Sequence, residues 1–290
     1  LIESKSLSYR IIDAAVYGAL FVLALIAAIP FLYIIAGSFA APDEYLNKTF
    51  LLFPTQFSWE AYTFIFSSGT FVSSLLISIY ITVVGTAVNL FFTVTMAYPL
   101  ARRDLRHRRA ILLGVLFTML FSGGIIPLFL VIKGVGLLDS LWSLMLPVAI
   151  SPFYLIILKN FFQQLPDGIE ESAKIDGCNE LQTLFRIVLP LSLPAIATFS
   201  LFYAVMHWNT FFHAIMFIND STKWPIQVLL RQVVIISSGV FESTGGNDVV
   251  PPGQTIKMAV IVVSTIPIML VYPFLQKHFA QGVLLGSVKG

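Results

Sequence analysis

With 290 residues, 57% hydrophobic and only 11% charged, the chain cannot clothe a water-soluble surface, which needs about 25% charged residues. Its mean hydropathy of +0.88 places it in a bilayer, and a net charge of +2 leaves no footprint for nucleic acid. One cysteine, Cys178, excludes an internal disulfide and a cysteine-rich metal site.

The chain opens at Leu1 rather than Met, so a few N-terminal residues are expected to be missing. The first apolar run is too long for a signal-peptide core of about 7–15 residues. Six runs reach the about 20 apolar residues that a bilayer-spanning helix needs. They are Ile11–Phe39, Thr70–Ala101, Ala110–Ile132, Leu141–Phe162, Leu191–Ile218 and Ile256–Gln276. The expected fold class is all-α, a multi-pass membrane protein of about six spans. Several prolines lie in or at the ends of these runs, and Pro273 predicts a kink near the end of the last.

Twelve of the 17 lysines and arginines fall on one side of this layout, including the five arginines of 102–109. Those five are expected to act as a topology anchor. The excess makes that side, which carries both termini and the 165–190 loop, cytoplasmic. On the other side, Pro42–Gly69 with Trp59 and Tyr62, and the polar Asn219–Thr255, are long enough to meet an external partner or simply to connect helices.

Between the fourth and fifth runs the chain turns polar. Asp167 and Glu170 have the spacing of an N-cap and its reciprocal partner. The helix they start is expected to stop at Gly177, the residue best suited to a left-handed cap. Asn179 and Gln182 repeat the capping spacing, and Leu181, Leu184, Phe185 and Val188 then form one apolar face. The expected product is a helix–glycine turn–helix hairpin at the membrane surface. It either anchors the loop in the interface or offers an acidic knob, with Glu170, Glu171 and Asp176 around Ser172 and Ala173, to a basic socket on a partner.

Glu171, Ala173, Gly177, Ile187, Leu189 and Pro190 fall at the spacing of a known pattern: Glu-Ala-Ala, three residues, Gly, nine residues, Ile, any residue, Leu-Pro. In this the segment resembles the cytoplasmic coupling loop of the permease subunits of binding-protein-dependent ABC importers, with Ser172 as the one departure inside the opening triplet. The resemblance implies a single permease domain over 1–290, with its core at about 70–280 and its coupling loop at 165–190. It implies that the loop docks on a separate ATPase subunit, with Glu171 as the acidic contact, Ala173 permitting close approach and Gly177 making the turn. The implied partners are a homologous permease subunit, two ATPase subunits, an extracytoplasmic solute-binding protein and the bilayer. No cofactor is expected in this chain, ATP and Mg being held by the ATPase.

The fifth run carries Leu189-Pro-Leu-Ser-Leu-Pro194 and the pair Trp208-Asn209, which resemble the maltose-type carbohydrate branch of that family and its oligo- and polysaccharide importers, alginate-type importers among them. Asn209 and His213, four residues apart, are expected to share a helix face near Phe212 and Met216. They would either line a sugar path or join neighbouring helices by hydrogen bonds. Asn89 and Tyr98 are weaker candidates for the same path. No Gly-x-x-x-x-Gly-Lys, His-Glu-x-x-His or Gly-x-Ser-x-Gly sequence occurs. The rival reading is an ion-coupled secondary transporter. It expects acidic residues inside the spans and a repeat between the halves, yet only Asp13 lies in a span and no repeat is visible.

Overall fold

The protein is described here by a computed structural model covering residues 7–47, 51–236 and 253–287. The described residues are helical throughout, apart from connections and one isolated bridge between Ala40 and Phe57. They fall into two compact units, one within Leu1–Gly69 and Leu230–Thr265, the other within Thr70–Leu229 and Ile266–Gly290.

In the first unit, α1 (Leu7–Ser38) is apolar on every face and exposed along most of its length, as a helix bathed in lipid requires. The short α2 (Pro42–Asn47) and α3 (Glu60–Ser67) follow it. The Glu44 carboxylate joins α2 to the next segment: it accepts from Thr55 N at 2.8 Å, Thr55 Oγ1 at 2.5 Å and Gln56 N at 2.7 Å. Phe39, Phe57, Trp59 and Tyr62 pack ring against ring beside it. The described parts of the Pro42–Gly69 stretch, 42–47 and 51–69, are thus held together by their own hydrogen bonds and ring contacts. Of the other long outer loop, Asn219–Thr255, residues 237–252 lie outside the described residues.

The second unit is built on α4 (Gly69–Ala101), a 33-residue helix. Ser74, Ser78, Ile81, Gly85, Asn89, Thr93 and Ala97 recur every three or four residues and are buried, while Leu76 and Val83 face outward. The buried stripe is half polar, and most of it is matched by partners on other segments. Asn89 donates to the Val148 carbonyl and meets His207 Nε2 at 2.5 Å. Thr93 meets the Tyr203 hydroxyl at 2.8 Å, and that hydroxyl also accepts from Ser151 N at 3.3 Å. Ser78 accepts from Ile226 N at 2.7 Å, at the start of α13 (Ile226–Ile236).

Only the first, second and last expected runs are unbroken helices long enough to cross a membrane, and the count is up to six if each bent pair is one span. The third run is α5 (Arg108–Leu120) and α6 (Ile125–Gly134), bent by 116° at the Ser122–Gly124 break. The fourth is two tight turns, Leu141–Leu144 and Leu146–Val148, then α7 (Pro152–Phe162), bent by 50° where Pro147 and Pro152 withhold amide donors. The helix Gln254–Ser287 continues through Pro267 and Pro273.

Candidate functional site: the helix hairpin between the fourth and fifth spans

The hairpin begins with α8 (Asp167–Ile175). Asp167 is its first helical residue, and the side chain expected to cap it lies outside the described residues. Glu170, expected to return a bond to that cap, instead pairs with Arg102 at the end of α4. Arg102 also reaches Glu180 Oε1 at 3.1 Å and donates to the Tyr98 hydroxyl at 3.2 Å, with its guanidinium 5.2 Å above the Tyr98 ring. Tyr98 in turn donates to Glu180 Oε2 at 3.2 Å. Arg102 is therefore a tie between α4 and both arms of the hairpin. Tyr98 is part of this tie. A second tie runs from Lys159 to Gln163 Oε1 at 3.0 Å and from Gln163 Nε2 to the Ala101 carbonyl at 2.9 Å.

Gly177 has φ +82, and the Cys178 amide returns to the Ala173 carbonyl at 2.9 Å, closing α8 with a left-handed cap. Asn179 and Gln182 then form a reciprocal capping box: Gln182 N donates to Asn179 Oδ1 at 2.8 Å and Asn179 N donates to Gln182 Oε1 at 3.0 Å. The second arm runs as α9 (Glu180–Thr183), a wide turn over Leu184–Val188 with five-residue hydrogen bonding, and α10 (Leu189–Leu191). It meets α11 (Leu193–Trp208) at 85° beside Ser192.

That wide turn splits the expected apolar face. Leu184 and Val188 are buried in the core of the unit with Tyr98, Phe162 and Phe199. Leu181 is 65% exposed and Phe185 50%, and Ile175, just before the glycine turn, is 86% exposed. Ala173 is 3% exposed, so the close approach its small side chain permits is to this chain itself. Glu171, Ser172 and Asp176 point to solvent. The hairpin thus presents acidic and apolar side chains around a rigid turn. Sequence reasoning assigned Leu181 and Phe185 to the membrane face and left Ile175 unused.

In the fifth run the expected face of Asn209 and His213 does not form. The helix ends at Trp208, where Asn209 Nδ2 donates to Val205 O at 2.8 Å and Thr210 Oγ1 donates to Met206 O at 3.3 Å. His213 begins again in α12 (Phe212–Phe217), its ring stacked 5.5 Å from Phe217, while Phe212 is exposed. Asn209 caps its own helix. Trp208 is buried and lines an apolar cavity of about 170 Å³ with Thr82, Leu201 and Pro267. The side chain the sequence passed over is His207, buried against Asn89 and directly over Gly85. Among the described residues no His, Cys, Asp and Glu group could hold a metal ion.

Three comparisons bear on this geometry. The chain is similar to the "Polygalacturonan/rhamnogalacturonan transport system permease protein YtcP" of Bacillus subtilis (strain 168), 61% identical over 97% of this chain and 99% of that one. It is 60% identical to "Protein LplC" of the same organism, over 91% of this chain and 90% of the relative. Among solved structures it resembles a chain of a bacterial ABC transporter involved in the import of the acidic polysaccharide alginate. That likeness has a TM-score of 0.85 and 32% identity, and covers 94% of this chain and 98% of that one. Residues 5–285 match the family described as "Binding-protein-dependent transport system inner membrane component". The chain belongs to that family, and is the membrane-spanning permease subunit of a binding-protein-dependent ABC importer in the inner membrane.

Proposed function

We propose that this subunit carries oligosaccharides of acidic polysaccharides inward, driven by ATP hydrolysis on separate ATPase subunits that hold ATP and Mg and dock on the 165–190 hairpin. The observation that carries the coupling role is the hairpin itself: a turn fixed by Gly177 and a capping box, tied to α4 through Arg102, with Glu171, Ile175, Leu181 and Phe185 left outward. A rigid, partly apolar knob tied to a long helix can pass a push from a partner to the spans. Simple anchoring would need no such tie. The acidic cargo is supported by the relatives: one is named for polygalacturonan and rhamnogalacturonan, and the solved structure belongs to an importer of an acidic polysaccharide. A homologous permease subunit, an external solute-binding protein and cytoplasmic termini complete the reading, and 1–290 is one permease domain.

The test is solute-stimulated ATPase activity of the assembled importer. Glu171→Lys and Leu181→Asp are expected to abolish stimulation and release the ATPase chains, while the permease still inserts. Normal stimulation in both variants refutes the docking role. Acidic uronate oligosaccharides delivered by the binding protein are expected to stimulate, and neutral glucose oligomers are not. Equal stimulation by both refutes the cargo.

A further inference from the structure

Five arginines crowd the stretch from the end of α4 to the start of α5, and they do not share one fate. Arg102 is engaged by Glu170 and Glu180, and Arg108 Nε donates to the Leu100 carbonyl at 2.8 Å. Arg103, Arg106 and Arg109 are exposed and have no carboxylate partner among the described residues. Asp104, the nearest acid in sequence, borders neighbouring cavities instead.

Arg103, Arg108 and Arg109 line a cleft of about 610 Å³ together with Leu112, Leu113 and Leu116. Arg106 is not part of it. α5 enters this cleft uncapped, because His107 sits at φ 62 and offers no side-chain acceptor to the first turn. The amides of that turn therefore add positive potential beside the guanidiniums. The segment joins two bilayer-spanning runs, so it lies at headgroup depth. At 1.5 Å per residue, Leu112 to Leu116 lie about 6–12 Å deeper than Arg108, in the acyl region. Leu113 and Leu116 are exposed there.

We propose that this cleft binds an anionic phospholipid, its headgroup phosphate held by Arg103, Arg109 and the open first turn of α5, and its acyl chain laid along Leu112, Leu113 and Leu116. A soluble phosphate would use the cationic half and leave the leucine half without purpose. A diffuse basic surface would use Arg106 as readily as its neighbours. The continuity of guanidinium, helix N-terminus and leucine groove along α5 matches one amphipathic ligand.

The experiment uses the complete importer in nanodiscs of mixed phosphatidylglycerol and phosphatidylcholine, with retained lipid read by native mass spectrometry. Arg103→Gln and Arg109→Gln are each expected to lower phosphatidylglycerol retention about fivefold, the effect of one basic side chain at an anionic surface. Arg106→Gln is expected to leave it near wild type. Equal losses in all three overturn the site in favour of diffuse attraction. Glycerol phosphate, a headgroup without chains, is expected not to displace the lipid, and full displacement overturns the acyl assignment. In the unmodified importer, photoactivatable phosphatidylglycerol is expected to label Leu112–Leu116, a readout independent of any variant. Labelling confined to other helices overturns the proposal.

Discussion

Two glycines set constraints by different physics. At Gly85 an added Cβ would lie 2.6 Å from His207 Nε2 and 2.7 Å from Cε1, inside a buried and inflexible ring. Gly85→Ala must therefore either displace His207 from Asn89 or force α4 and α11 apart. Overpacking of this kind costs about 1–3 kcal/mol. At Gly177 the added Cβ meets nothing within 4 Å, yet φ is +82, so the cost is one of backbone alone, about 1 kcal/mol. Thermal denaturation of the purified importer should rank Gly85→Ala as the more damaging. Adding His207→Ala to Gly85→Ala should give less than the sum of the two losses, because removing the ring makes room for the added methyl. Full additivity would show that the ring and the glycine do not oppose each other. Gly177→Ala should instead cost little stability and weaken stimulated ATPase activity by re-aiming the hairpin.

At the scale of elements, what the sequence discloses is what short range decides. The left-handed glycine and the Asn179–Gln182 box lie within a few residues of their partners, so spacing alone places them. The split of the Leu181–Val188 face depends on the wide turn at Leu184, which buries Leu184 and Val188 in a core assembled from α4, α7 and α11. The pairing of Arg102 with Glu170 joins residues 68 apart, and nothing in either neighbourhood announces it. The stop at Trp208 was legible in principle: Asn209 and Thr210 both turn their polar atoms onto the last helical carbonyls, as such residues do at helix ends.

The outer ends of two helical segments meet in a similar long-range clasp. Asp139, at φ 60, accepts from Asn219 N at 3.1 Å and Asp220 N at 2.9 Å, and pairs with Lys223 at 2.9 Å. Hydrogen bonding from Asp220 N, then from Lys223, holds the Asp139 carboxyl below its usual 3.8, and the Thr222 hydroxyl does the same for Asp220. Lys223 is held above its usual 10.5, chiefly by its bond to Asp139. The carboxylates stabilise the fold above their ordinary value, and lose that contribution as pH falls through their depressed ones. Lys223 contributes fully below its ordinary value and loses it as pH rises through its raised one. The melting difference between wild type and Lys223→Gln should therefore be flat from about pH 5 to pH 9 and shrink at both extremes. A difference that varies across neutrality would point to another group.

For the whole molecule, orientation is the property on which coupling and cargo direction both depend. Cys178 tests it, because it is the only thiol in the chain, it is partly exposed, and it follows the glycine turn directly. A membrane-impermeant maleimide should label it in inverted vesicles and not in intact cells stripped of their wall. Assembly with the ATPase chains should protect it. Labelling of intact cells would invert the topology drawn from the lysine and arginine count, and with it the side on which the hairpin meets its partner.

Tyr203 carries a consequence for how such a chain can drift. Its hydroxyl serves Thr93 on α4 and, through the Ser151 amide, the start of α7, so one oxygen answers to two helices. A lineage that loses this phenol leaves a hydroxyl and an amide stranded in the core at once. The permitted route changes positions together: a valine for the threonine at 93, and at 151 a proline, which has no amide hydrogen to strand. Positions 93, 151 and 203 should therefore behave as one heritable unit, though they lie on three separate segments of the chain.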